Sequence, residues 1–163
     1  MENNDHVSLY NAEDRSILKI AEDSLDSRLD RVQEIIVYAK EAGLKKIGIA
    51  NCTVFNKEAQ VLSEMLVNEG FIVDSVNCKH GKVPFTDLLP GYKGISCNPA
   101  GQAKYLEEKG TELNIMMGLC LGHDMIFNAK SAAPVTPLVV KDRVLKHNTV
   151  ESLKQKGNND IPV

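Results

Sequence analysis

The chain has 163 residues and a formal net charge of -3, which allows one domain with a real core and gives no electrostatic reason to seek nucleic acid or an anionic membrane. No apolar run approaches the ~20 residues that a spanning helix needs. The start, Met1-Glu2-Asn3-Asn4-Asp5-His6, is polar and acidic, so it does not read as a secretory signal and the expected location is cytoplasmic.

In chain order, residues 1 to about 10 are expected to be loose. Asn11 to about Asp23 reads as a short amphipathic helix carrying Ile17, Leu18 and Ala21. A longer helix is predicted from about Ser27 to Ala42, its apolar stripe made by Leu29, Val32, Ile35, Ile36 and Ala39, with Gly43 closing it. A first strand follows at about Lys46 to Ala50. A helix from about Asn56 to Glu69 places Ala59, Leu62 and Leu66 on one face, and a second strand runs from about Phe71 to Asn77. A long connection with Gly81, Pro84, Pro90, Gly91 and Gly94 reads as a binding loop or lid. Asn98 caps a helix with Pro99 in its first position, and Gly110 ends it. The third strand is about Leu113 to Gly118, the next helix about Gly122 to Lys130, and the fourth strand Pro137 to Lys141. One more helical turn is expected from Val150, followed by a disordered end at Gly157-Asn158-Asn159-Asp160.

Strands alternate with helices, and each strand is a short apolar run of the kind buried on both faces of a parallel sheet. The fold class is therefore α/β, a three-layer sandwich around a mainly parallel sheet of four or five strands, Rossmann- or flavodoxin-like. Its expected parts are an N-terminal extension with a short helix over 1–26, one α/β domain over 27–153 and a flexible tail over 154–163. An open sheet leaves edge strands that pair with another copy or are covered, so a homo-oligomer is an expectation.

The four cysteines fall on one side of this scheme. Cys52, Cys78 and Cys120 each follow a predicted strand, and Cys97 precedes the Asn98-Pro99 helix start. In a parallel sheet every strand-to-helix loop opens on the carboxyl edge, where such sheets bind ligands. Thiols stay reduced in the cytoplasm, so ligands, nucleophiles or buried hydrophobes are expected rather than disulfides. Helix starts lower a thiol's pKa, and sulfur-rich ligation selects zinc, cuprous copper or an iron–sulfur cluster. No two cysteines have the close spacing of a zinc knuckle, so the fold would assemble the site ligand by ligand. The first expectation is an iron–sulfur cluster or zinc held by Cys52, Cys78, Cys97 and Cys120, with redox or ligand-transfer chemistry and the 79–96 loop over the site. Packing of some of these cysteines as small hydrophobes is the bland alternative.

The string Gly118-Leu119-Cys120-Leu121-Gly122-His123 supports a second expectation. Strand, Gly-x-Cys-x-Gly and helix form the cysteine version of a nucleophile elbow, and the string resembles the nucleophile turn of class I glutamine amidotransferases. Read that way, the chain is a cysteine hydrolase or amidotransferase-like enzyme. Cys120 attacks, His147 is the base, and Glu151 or Asp142 orients it. A plain glycine-mediated turn is the alternative. Around the edge, His80 with Lys79 and Lys82 could bind an anion beside Cys78. His123 could act as a further ligand or orient one, and Lys141, Asp142 and Arg143 could contact a substrate. Each has an ordinary reading as well, in a solvated loop or a helix start.

Taken together, Gly48-Ile49-Ala50-Asn51-Cys52, Cys78-Lys79, Cys97-Asn98-Pro99-Ala100-Gly101-Gln102-Ala103, Gly118 to Asp124 and Val140 to Asn148 carry a family likeness spanning roughly Ser27 to Leu153. The chain resembles a family of uncharacterised prokaryotic proteins, catalogued as a domain of unknown function and described as predicted metal-binding proteins. The resemblance implies a cytoplasmic α/β protein in which Cys52, Cys78, Cys97 and Cys120 ligate metal. Many members are similar in having a further cysteine cluster before the first strand; this chain has no cysteine before Cys52.

Overall fold

The computed structural model describes residues 6–156, and the expectation of disorder at 157–160 lies outside them. The chain divides into two compact units, one running to Lys45 and one from Lys46 onward. In the first unit, helix α1 (Ala12–Asp23) starts at a reciprocal cap in which Asn11 and Asp14 bond each other's backbone N–H. Residues 6–10 form a turn, and the Arg15 guanidinium donates to the carbonyls of Val7 and Tyr10. Ile17 and Leu18 are exposed, so the apolar face of α1 is unburied. Helix α2 (Arg31–Glu41) begins four residues later than its apolar stripe predicts. Asp30 and Gln33 make a second reciprocal cap there, which leaves Leu29 outside.

The second unit holds strands β1 (Lys46–Asn51), β2 (Ile72–Asn77), β3 (Leu113–Met117) and β4 (Val135–Val139), in the order β2-β1-β3-β4. Every pairing is parallel. Helix α3 (Asn56–Asn68) connects β1 to β2, helix α5 (Pro99–Lys109) precedes β3, and helix α6 (His123–Lys130) connects β3 to β4. The β1-to-β2 crossover runs in the opposite direction from the next two. Right-handed connections therefore put α3 on one face of the sheet and α5 with α6 on the other. The result is the expected three-layer α/β sandwich, with four strands. The short helix α4 (Phe85–Leu88) lies in the long connection after β2, and α7 (Val150–Lys156) follows β4.

Strand alternation sorts the core. Ile47, Ile49, Leu113, Ile115 and Met117 point to one face, and Gly48, Ala50, Val76, Asn114 and Met116 to the other. On this second face Ala50, Val76 and Met116 join Ala103, Leu106 and Phe127 in one apolar cluster that also contains Cys52 and Cys78.

Two sequence expectations change. The fourth strand begins at Val135, two residues early, because Pro137 sits inside it. β4 is an edge strand, and the register slips between Met116↔Pro137 and Met117↔Val139, which accommodates a residue without a ladder N–H. The 79–96 connection is also more ordered than its composition implies. It contains a 3₁₀ turn (His80–Lys82), α4, and an antiparallel bridge from Pro84 to Ile95. Among the described residues no helix is long and apolar enough to cross a membrane.

Candidate functional site

The carboxyl edge gathers side chains from all four strand ends. Cys52 follows β1 and enters a 3₁₀ turn (Thr53–Phe55). Cys78 follows β2, and its N–H donates to Asn51 O at 2.9 Å. Cys97 reaches the same place from the far end of the long connection, because the Asn98 N–H donates to Cys78 O at 2.7 Å. The Asn98 side chain caps α5 by accepting from Gly101 N, and a side chain at Gly101 would collide with it. That close approach explains the glycine in a helix.

The sulfurs of Cys78 and Cys97 lie 3.7 Å apart. Cys52 and Cys78 directly follow the paired Asn51 and Asn77 and share one apolar cluster, so Cys52 lies beside the Cys78–Cys97 pair. From beyond β4, Lys141 Nζ donates to Cys52 Sγ at 2.8 Å. Burial alone would raise the pKa of Cys52. The Lys141 ammonium, the Val54 N–H and the Cys78 thiol together outweigh burial and hold it below the ordinary thiol value. The middle thiol behaves oppositely. Burial, its bond to Cys97 and the negative charge on both neighbouring sulfurs push Cys78 up to about 11, against a smaller opposing contribution from the Thr53 N–H.

Cys120 is engaged separately. Its half-buried sulfur accepts from the Arg143 guanidinium at 3.2 Å. Gly118, with φ +60°, turns the chain out of β3, and a side chain there would enter the Phe55 ring. Phe55 is the apolar floor of this edge: the His147 ring stands edge-on at 4.7 Å, and Lys141 Nζ lies 5.7 Å from its centroid.

The other predicted residues make contacts of their own around this edge. His147 Nδ1 accepts the Asp142 backbone N–H at 3.1 Å. The Asp142 carboxylate accepts from Val144 N and Leu145 N at 2.9 Å each, and so shapes its own loop. His80 is exposed, its ring 5.0 Å from that of Tyr105, and its carbonyl accepts from Asn98 Nδ2. His123 is half-buried at the first position of α6, where its N–H donates to Cys120 O. Among the described residues, no group of three or more His, Cys, Asp or Glu side chains stands ready to hold a metal ion.

Sequence reasoning missed Gln102. It is fully buried, and its Nε2 donates to Asn51 O at 3.1 Å and Val76 O at 2.8 Å, tying α5 to the ends of β1 and β2 beside Cys52 and Cys78. Its Oε1 has no hydrogen-bond partner among the described residues. An amide four residues before the buried Leu106, on the inward face of α5, was the available signal.

A family described as "Protein of unknown function (DUF1847)" matches residues 2–138. The chain belongs to this family. Within curated proteins it is similar to the uncharacterized protein MJ0455 of Methanocaldococcus jannaschii, with 45% identity over 131 residues, covering 77% of this chain and 67% of that protein. The DUF1847 match contains all four cysteines and ends before Lys141 and Arg143.

Proposed function

We propose that this DUF1847 protein binds a soft metal ion or an iron–sulfur cluster through cysteine thiolates at the carboxyl edge of its sheet. Cys52, Cys78 and Cys97 are the principal ligands, and Cys120 is the fourth. The observation that carries this reading is the Cys78–Cys97 sulfur pair at 3.7 Å, with Cys52 beside it and the Lys141 ammonium on Cys52. The donor set is soft and suits zinc, cuprous copper or iron. Metal–thiolate bonds of about 2.3 Å in a tetrahedral site separate the sulfurs by about 3.8 Å. The 3.7 Å between Cys78 and Cys97 fits that spacing. Cysteines on separate irons of a cluster stand farther apart, so this pair favours one ion.

A bound metal would supply Lewis-acid or electron-transfer chemistry; the chain supplies its electrostatic setting. Lys141 offsets thiolate charge, the Val54 and Thr53 N–H groups stabilise sulfur, and Arg143 does the same for Cys120. The test is anaerobic purification with elemental analysis and absorption spectra, before and after supplying zinc, or ferrous iron with sulfide. Retained metal that falls sharply in Cys52→Ser and Cys97→Ser is the expected result. A chain that keeps no metal through desalting, with all four thiols freely titratable, refutes the reading.

One observation favours a second reading, in which Cys120 is the nucleophile of a cysteine hydrolase or amidotransferase-like enzyme. Its sulfur is half-exposed on a sharp turn, with a guanidinium 3.2 Å away. This reading predicts that iodoacetamide modifies Cys120 before the other three. Equal or slower modification there removes it.

A further inference from the structure

The long connection after β2 starts next to Cys78 and returns at Cys97. Three contacts hold its ends together: Asn98 N–H to Cys78 O at 2.7 Å, Lys79 Nζ to Ile95 O at 2.7 Å, and the Pro84–Ile95 bridge. The first sets the peptide after one cysteine against the peptide after the other. Both sulfurs lie on the same side of that junction, 3.7 Å apart. A disulfide needs about 2.0 Å between sulfurs. The remaining gap is small, and the backbone on both sides is already paired.

We propose that Cys78 and Cys97 form a redox-active dithiol that closes to an intrachain disulfide on meeting a low-molecular-weight disulfide of the glutathione class. This goes beyond the metal reading and does not depend on it. The two thiols have different access: Cys97 is half-buried, whereas Cys78 is 3% exposed. The outside disulfide therefore meets Cys97 first. Deprotonated Cys97 attacks one sulfur of RS–SR. The RS–SR bond breaks, one RS⁻ leaves and takes up a proton, and the other RS remains bonded to Cys97. Cys78 then attacks the Cys97 sulfur and its proton passes to the departing RS⁻. The balance is RS–SR plus two protein thiols giving one protein disulfide plus two RSH, a two-electron oxidation of the chain with the outside disulfide reduced. The closed loop is the 79–96 connection, whose ends the fold has already brought together, so little native geometry has to change. Closure also removes two of the sulfurs that the metal reading assigns as ligands. Metal binding and disulfide formation therefore exclude each other.

The test uses the full chain, reduced and stripped of metal by a chelator, in buffers of graded glutathione to glutathione-disulfide ratio. Each cysteine falls in its own tryptic peptide, because lysines stand at 46, 57, 79, 93, 104, 109 and 130. Two lost thiols and a linked pair of peptides 58–79 and 94–104 are expected. A stable glutathione adduct on Cys97 without closure, a cross-link between any other two cysteines, or four persisting thiols across the series overturns the inference. Cys97→Ser replaces the more accessible partner, and its fold is checked by circular dichroism; in this variant the loss of two thiols must disappear. A second arm repeats the titration after loading zinc alone. Protection by about tenfold or more in rate supports metal on these sulfurs. Closure at an unchanged rate counts against the metal reading and leaves the dithiol standing, whereas failure to close in the metal-free chain sinks the dithiol alone.

Discussion

Replacing Lys141 by methionine tests the electrostatics of the edge most directly. Methionine keeps an unbranched stem over Phe55 and deletes the ammonium 2.8 Å from Cys52 Sγ. A hydrogen bond to a charged partner contributes about 1.5–3 kcal/mol. At about 1.4 kcal/mol per pKa unit, losing it raises the Cys52 pKa by about one to two units. The Val54 N–H and the Cys78 thiol remain, so the shift stays inside that range. Reactivity changes less than ionisation, because a more basic thiolate is a better nucleophile, with a sensitivity of about 0.4–0.5. Below the pKa, alkylation of Cys52 in the metal-free variant is then expected to slow about three- to tenfold. The pH midpoint of that reaction should rise by the full one to two units. The assay is quantitative mass spectrometry of the 47–57 peptide after timed iodoacetamide pulses across a pH series. Lys141→Arg should recover most of the shift, since it restores a cation. A midpoint that moves by less than a few tenths of a unit in Lys141→Met would show that Lys141 does not sustain a Cys52 thiolate.

The middle thiol predicts alkaline sensitivity. Cys78 has its folded pKa raised from 9.0 to about 11, so its contribution is whole below the unfolded value and is lost as pH rises from about 9 to about 11. Denaturant titrations should show a fall of at most about 2–3 kcal/mol across that window, flattened in Cys78→Ala; identical slopes for both chains contradict it. Cys52 has the opposite sign: its contribution is present above the ordinary thiol value and fades as pH falls through its lowered pKa. Gln102→Leu removes two buried hydrogen bonds at the ends of β1 and β2 and should cost about 1–3 kcal/mol in urea unfolding with an unchanged slope. Equal stability would mean that the orphaned Oε1 costs as much as the two bonds give. Gly118→Ala puts a methyl group into Phe55 at φ +60° and should destabilise by about 1–3 kcal/mol in thermal or denaturant melts; a wild-type melt would show that Phe55 yields freely.

Much of the scaffold was legible in the sequence, because its signals are local. The Asn98-Pro99 start and the left-handed Gly110 end of α5 appear where the residue types put them. Strands buried on both faces read as apolar runs. The start of α2 is set by the reciprocal cap of Asp30 and Gln33, so the apolar stripe that extends back to Leu29 overshoots it. The displacement of β4 was not legible, because whether a strand accepts a proline depends on which of its edges is paired. The site divides in the same way. Alternation of strands and helices was enough to put four cysteines at loop ends on one edge. It could not say which sulfurs would be neighbours, since that follows from the order β2-β1-β3-β4 and from how the 79–96 excursion returns. The Lys141–Cys52 contact joins residues 89 apart in sequence across β3, and no local pattern encodes it.

Two cations stand on sulfurs at this edge, Lys141 on Cys52 and Arg143 on Cys120. Cys52 and Cys78 lie in the apolar cluster, as cysteines serving as small hydrophobes would. Packing alone gives such a sulfur no use for an ammonium: a neutral thiol gains little from one, while moving Lys141 out of bulk water has a cost. A thiolate gains a charge-assisted bond. The loop beyond β4 brings a cation to each of two sulfurs. Lys141 and Arg143 stand two residues apart and reach Cys52 and Cys120, while Asp142 between them turns its carboxylate onto the N–H groups of Val144 and Leu145. Lys146 and His147 then adopt consecutive left-handed conformations, held by the paired backbone and ring contacts of Asp142 with His147. Non-glycine residues in that region carry strain that the surroundings must offset. A loop selected only for connecting β4 to α7 has no reason to carry it. Two positive charges are delivered to two sulfurs, and at Cys52 that charge helps hold the thiol below its ordinary pKa.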